Sequence, residues 1–135
     1  MSRIFLIEDD AFLRELLRMD LEEEGHDIAE YSNGNQALSD LSIAPPDVLI
    51  TDIVMQDGEG MGTIRFARKL FPNLRIIAIS SHPDYLRFAA ELGASDIIEK
   101  PFRTRELARA LSLAEATSSN IKLGAPRAKL GMSRA

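Results

Sequence analysis

Residues 3–10 read Arg-Ile-Phe-Leu-Ile-Glu-Asp-Asp, an apolar run that breaks into three consecutive acids. A short, nearly continuous apolar stretch such as Arg3–Glu8 is what a β-strand buried on both faces requires. The periodicity then changes. From Ala11 to Glu24, Leu13, Leu16, Leu17 and Leu21 fall on one helical face, with Asp10 placed to cap the helix and Gly25 to end it. This strand–helix couple recurs to the end of the folded part. Ile28–Tyr31 is followed by a helix over Asn33–Leu41, after a Ser-Asn-Gly turn. Pro45-Pro46 forces an extended approach to Asp47–Asp52, and Glu59–Leu70 follows, with Ile64, Ala67 and Phe71 as inward contacts and Pro72 as its stop. Arg75–Ser80 leads to a helix over Asp84–Leu92 ended by Gly93. Asp96–Glu99 leads to a last helix over Arg105–Ala116, with Leu107, Leu111 and Ala114 on one face and Thr104 as its expected cap. Five strand–helix units in series predict an α/β fold, a parallel sheet with helices on both faces.

Composition narrows the function. The chain has 135 residues, a length for one domain with a short tail. It has no cysteine, which removes disulfide scaffolds, thiolate metal sites and cysteine nucleophiles. The first residues carry no signal-peptide pattern, and no apolar run approaches the ~18 residues of a membrane span, so a cytoplasmic address is expected. Net charge is −5, from 16 basic and 21 acidic residues, and acidity argues against nucleic acid as the main partner. The charge is unevenly spread. Residues 118–135 hold Lys122, Arg127, Lys129 and Arg134 and no acid, which leaves −9 on residues 1–117. A folded acidic domain over 1–117 and a basic, flexible tail over 118–135 are expected.

In a parallel α/β sheet, ligands bind outside the carboxyl ends of the strands. Strand one ends in Glu8-Asp9-Asp10, strand three in Asp52, strand four in Ser80-Ser81, and strand five just before Lys100-Pro101-Phe102. Each has an ordinary reading: Asp9-Asp10 as a helix cap, Asp52 as a turn residue, Lys100 as a solvated loop charge. Their joint placement on successive strand ends is what points to a site. Carboxylates packed together need a cation, and hard oxygen ligands without histidine or cysteine favour Mg²⁺. A lysine and a hydroxyl opposite them suit anionic oxygens. This is a setting for phosphoryl transfer, in which an aspartate can itself be the nucleophile.

Over Arg3 to Ala116 the chain resembles the receiver domain of two-component response regulators. The resemblance rests on FLIEDD, PDVLITDIVMQDGEG, IIAISS, GASDIIEKPF and RELARAL, in matching order and spacing. It implies the flavodoxin-like receiver fold, a five-stranded parallel sheet in order 2-1-3-4-5, the order for which a receiver is itself a standard example. It implies that Asp52 accepts a phosphoryl group from a phosphohistidine on a sensor histidine kinase or phosphotransfer protein. Asp10 would ligate Mg²⁺ directly, Asp9 through water, with Asp52 and the backbone carbonyl of Val54 completing the set. Ser80 and Lys100 would hold phosphoryl oxygens, and Lys100-Pro101 would be a cis peptide bond.

Three positions depart from the family pattern. Met55 is followed by Gln56 where the family often has proline. Ile97 stands where receivers often carry a switching Tyr or Phe, and is expected to be a fully buried strand residue. Val54 and His82 stand at positions that influence phosphate lifetime, the histidine with a charge that changes near neutral pH. The resemblance further implies a signalling switch rather than an enzyme, catalysing only its own phosphorylation and dephosphorylation. With so little chain after residue 117, a stand-alone receiver is expected. Its output surface would be helix 4–strand 5–helix 5, including Arg87, Glu91, Glu99, Arg103, Arg105 and Arg109, which also serves homodimers in this family. The alternatives are a receiver fragment of a longer DNA-binding regulator, weak nucleic-acid contacts through the basic tail, and an aspartate-nucleophile phosphohydrolase. The phosphohydrolase wants a second acid two residues past the nucleophile, where this chain has Val54.

Overall fold

The computed structural model describes residues 1–53 and 60–112. Within them the strands are β1 (Arg3–Ile7), β2 (Asp27–Tyr31), β3 (Val48–Asp52), β4 (Arg75–Ser80) and β5 (Asp96–Glu99). The helices are α1 (Ala11–Glu23), α2 (Gly34–Ile43), α3 (Gly60–Leu70), α4 (Pro83–Leu92) and α5, described over residues 104–112. All strand pairs are parallel and the sheet order is β2-β1-β3-β4-β5, as expected. The expected elements agree with these to within two residues at the ends that are described. Ala114 and the tail over 118–135 lie outside the described residues.

The apolar runs are continuous because both faces of the sheet are covered. Phe5, Ile7, Leu49, Ile76 and Ala78 pack with residues of α2, α3 and α4 on one side. Their strand neighbours Ile4, Leu6, Val48, Ile50, Ile77 and Ile79 pack with Leu17 and Leu21 of α1 and Leu107 and Leu111 of α5 on the other. Side chains alternate across a strand, so a strand sandwiched between two helical layers must be apolar at every position. Fully burying each large side chain contributes about 1.5–3 kcal/mol, and this double layer is the main source of stability.

Helix ends follow local chemistry. The Asp10 carboxylate accepts hydrogen bonds from the N–H groups of Phe12 and Leu13, capping α1 as expected. The Asn33 side chain caps α2 through the N–H of Asn35. Pro83 occupies the first turn of α4, where its missing N–H costs nothing, and Gly93 ends that helix at φ +122°.

Three expectations are corrected. Thr104 is not the cap of α5 but lies in its first turn, where its Oγ1 donates to Asp20 Oδ2 of α1 at 2.9 Å. Arg103 precedes the helix, and the Glu106 carboxylate accepts its backbone N–H at 3.2 Å, the reciprocal half of a capping box. Leu16 is 43% exposed, because an inward stripe over Leu13, Leu17 and Leu21 leaves it on the flank of α1. Ile97 is 43% exposed, not buried. Adjacent residues on a strand face opposite sides, and on the edge strand β5 the covered side goes to Ile98.

Candidate functional site

The parallel register brings the ends of β1, β3 and β4, and the loop after β5, to one edge of the sheet. Ser80 is opposite Glu99, and the Lys100 N–H donates to the Ser80 carbonyl at 2.8 Å, so Lys100 leaves the sheet beside the end of β4. The Lys100–Pro101 peptide is cis, as the resemblance implied. From there the Lys100 ammonium donates to Asp52 Oδ2 at 2.7 Å and to Glu8 Oε1 at 3.1 Å. Asp52 and Glu8 are both buried.

Glu8, one of the three acids expected at the end of strand one, is a central member. Its backbone N–H donates to Tyr31 O at 3.0 Å, extending β1 by one residue and turning the side chain into the site. There Oε2 accepts the N–H of Asp10 at 3.1 Å. Carboxylate oxygens of Glu8, Asp9 and Asp52 all lie within 4.8 Å of one another. Asp10 is not in this group. It is exposed, and its Oδ1 is engaged by the first two helical N–H groups of α1. Beside Asp52 the structure groups Glu8 and Asp9, where the resemblance implied Asp9 and Asp10. The signal was present: a residue directly preceding the helix is its cap, and a capping carboxylate is turned along the helix axis.

The electrostatics follow from two buried acids sharing one ammonium, with a third carboxylate close by. Burial pushes the Glu8 carboxyl up to about 7, reinforced by the negative charge of Asp52; the Asp10 N–H and Lys100 pull the other way. Burial alone would depress the Lys100 ammonium, but its hydrogen bond and ion pair with Asp52, joined by Glu8, outweigh it and hold the pKa above the usual value. The site thus binds protons or cations more readily than separated carboxylates would.

Ser80 is buried at the end of β4, and its Oγ accepts the N–H of His82 at 3.0 Å. His82 is exposed, stacks on Tyr85 with ring centroids 5.1 Å apart, and precedes α4 without capping it through its side chain. Val54, Met55 and Gln56 lie outside the described residues. Arg87, Glu91, Glu99, Arg103, Arg105 and Arg109 are all exposed, and Arg87 pairs with Asp84. Among the described residues, no helix is long and apolar enough to cross a membrane.

The family profile of the response regulator receiver domain matches residues 4–112, most of the chain. The chain belongs to the receiver family. It is 31% identical over 114 residues to the chemotaxis protein CheY of Thermotoga maritima, a match covering 82% of this receiver and 95% of that protein. It is 34% identical over 116 residues to a probable transcriptional regulatory protein of Picosynechococcus, covering 78% of this receiver and 46% of that relative. The receiver therefore spans about half of one relative and nearly all of the other. A response regulator receiver domain protein from Clostridium thermocellum superposes with a TM-score of 0.82 at 24% identity, over 90% of this receiver and 99% of that structure, and it shows the shared fold. Receivers are phosphorylation-dependent signalling switches, and this one has the strand order and the buried acidic edge that such a switch uses.

Proposed function

We propose that Asp52 is the phosphoacceptor and that Glu8, Asp9 and Asp52 form the Mg²⁺ site. The observation that carries this reading is the Lys100 ammonium, held 2.7 Å from the buried Asp52 carboxylate and bridged to Glu8 in a cluster of acids. An all-carboxylate donor set suits a hard cation such as Mg²⁺. When bound, the ion supplies positive charge to the carboxylates and to incoming phosphoryl oxygens. An Asp52 carboxylate oxygen attacks phosphorus; the P–N bond of the phosphohistidine breaks, and its electron pair leaves with the imidazole, which takes up a proton. Lys100 and Ser80 are placed to stabilise the phosphoryl oxygens, since such transfers depend chiefly on position and charge.

The donor in this reading is a histidine kinase or histidine phosphotransfer protein. The output is a downstream protein that reads the exposed face of α4, β5 and α5, where Tyr85, Phe88 and Ile97 are exposed beside the charges named above. Ile97 cannot carry an inward aromatic rotation, so the signal passes from Ser80 to the α4 start through His82.

Incubation with Mg²⁺ and a small acyl phosphate tests the site by intact mass. One phosphoryl adduct of about 80 Da is expected, lost in EDTA and in Asp52→Ala. An adduct that persists in Asp52→Ala, or none in the wild type, overturns the assignment.

A further inference from the structure

The peptide joining Glu8 to Asp9 is gripped from outside the site. Arg14 lies one turn into α1, and helical side chains lean back toward the N-terminus, which carries its guanidinium over the end of β1. There Nη1 donates to the Glu8 carbonyl oxygen at 2.7 Å, while Nε donates to Glu30 Oε1 at 3.2 Å. Glu30, on the edge strand β2, is in turn held by Arg18, whose Nε is 2.7 Å from the second carboxylate oxygen. Glu8 therefore has its N–H fixed by β2 and its carbonyl fixed by Arg14.

We propose that Arg14 is a positioning residue for the cation site: its guanidinium, braced on Glu30, sets the plane of the Glu8–Asp9 peptide and with it the directions of both carboxylates. The inference rests on the assignment of Glu8, Asp9 and Asp52 as cation ligands. Groups that orient ligands without touching the ion commonly change metal affinity by 10–100-fold when removed. The fork matters as much as the charge. One planar group spans the carbonyl and Glu30 together, which a lysine ammonium does less well.

Charge and position predict opposite signs. Arg14 is a cation near a cation site, so if it acted only through its charge, Arg14→Met would tighten Mg²⁺ binding. If it only fastened α1 to β2, stability would fall and the Mg²⁺ affinity of the folded protein would not change. As a positioning residue, its loss weakens binding.

The test is Mg²⁺ titration of the full chain, followed by calorimetry and by the amide shifts of Glu8 and Asp9, with stability measured separately in EDTA. Arg14→Met is expected to raise the Mg²⁺ Kd by about tenfold or more. Arg14→Lys, which retains the charge and guards against a poorly folded Met variant, is expected to recover only part of the loss. Glu30→Gln, which loosens the brace, is expected to weaken binding by less than Arg14→Met. Unchanged or tighter binding in Arg14→Met, or full recovery in Arg14→Lys, overturns the role of the fork. A wild-type protein that shows no saturable Mg²⁺ binding instead overturns the cation site itself, along with the inference built on it.

Discussion

The two ends of the sheet treat buried charge in opposite ways. At the amino end of the strands, each arginine has oxygen acceptors around it. The Arg68 guanidinium, leaving α3, donates to the carbonyls of Gly93, Phe71 and Pro72 at 2.7–3.1 Å and so ties α3 to the end of α4. Arg75 pairs with Asp96 at 2.6 Å across β4 and β5. At the carboxyl end, one ammonium faces Glu8 and Asp52, with Asp9 beside them. The first arrangement pairs its cations with carbonyls and a carboxylate, although the Arg75 Nε stays without a partner. The second carries surplus negative charge, which costs stability and attracts a cation. In the reading proposed above, charged clusters thus serve structure at one end and chemistry at the other.

The largest effect expected from breaking this contrast is at Asp52. Beyond losing the phosphoryl adduct completely, Asp52→Ala relieves the crowding of acids and leaves Lys100 paired with Glu8. Its unfolding free energy in EDTA is expected to equal or exceed the wild-type value by up to about 2 kcal/mol. Urea unfolding checks this, and a loss of stability would make Asp52 a structural partner like Asp96. Next, Arg68→Ala should cost about 3 kcal/mol, since several partly buried carbonyls lose their donor together. Phosphoryl uptake per folded molecule should stay unchanged, and impaired uptake would show that the two ends are coupled.

A more gradual effect is one of pH. The Glu8 carboxyl is raised from its ordinary value of 4.5 to about 7, so between these values the folded state holds a proton that the unfolded state has lost. Stability in EDTA is therefore highest below pH 4.5 as far as Glu8 is concerned, and falls by roughly 1–3 kcal/mol as pH rises through 7. Only the ionised carboxylate ligates a cation, so saturating Mg²⁺ should flatten this slope. An equal slope with and without Mg²⁺ would separate Glu8 from the cation site.

Most of the architecture was legible because it rests on periodicity. Arg75–Ser80 and Asp96–Glu99 were read to the residue, since apolar runs between turn signals mark sandwiched strands. Asp52, Ser80 and Lys100 were legible as strand-end residues, and the register brings Lys100 to Asp52. Three adjacent acids were harder, because composition does not say which one the turn reverses. Asp10 was read as a cap and, through the resemblance, as a ligand; the structure shows its Oδ1 on the first helical N–H groups and groups Glu8, Asp9 and Asp52 without it. Ile97 and Ile98 look alike in sequence, and only the edge position of β5 separates the covered one from the exposed one. Arg14 gave no signal, because a helical arginine ordinarily points to solvent, and its partners are a backbone carbonyl and a residue 16 positions away.

The bond between Lys100 and Glu8 spans 92 residues. Contacts of such long sequence separation form late in folding, because the entropy of closing the intervening loop must be met first. Until residue 100 has been synthesised, a nascent chain has the acids of β1 and β3 but not the lysine that balances them. Among the described residues, the fifth strand in chain order thus leads to the lysine that balances the acids at the end of the first.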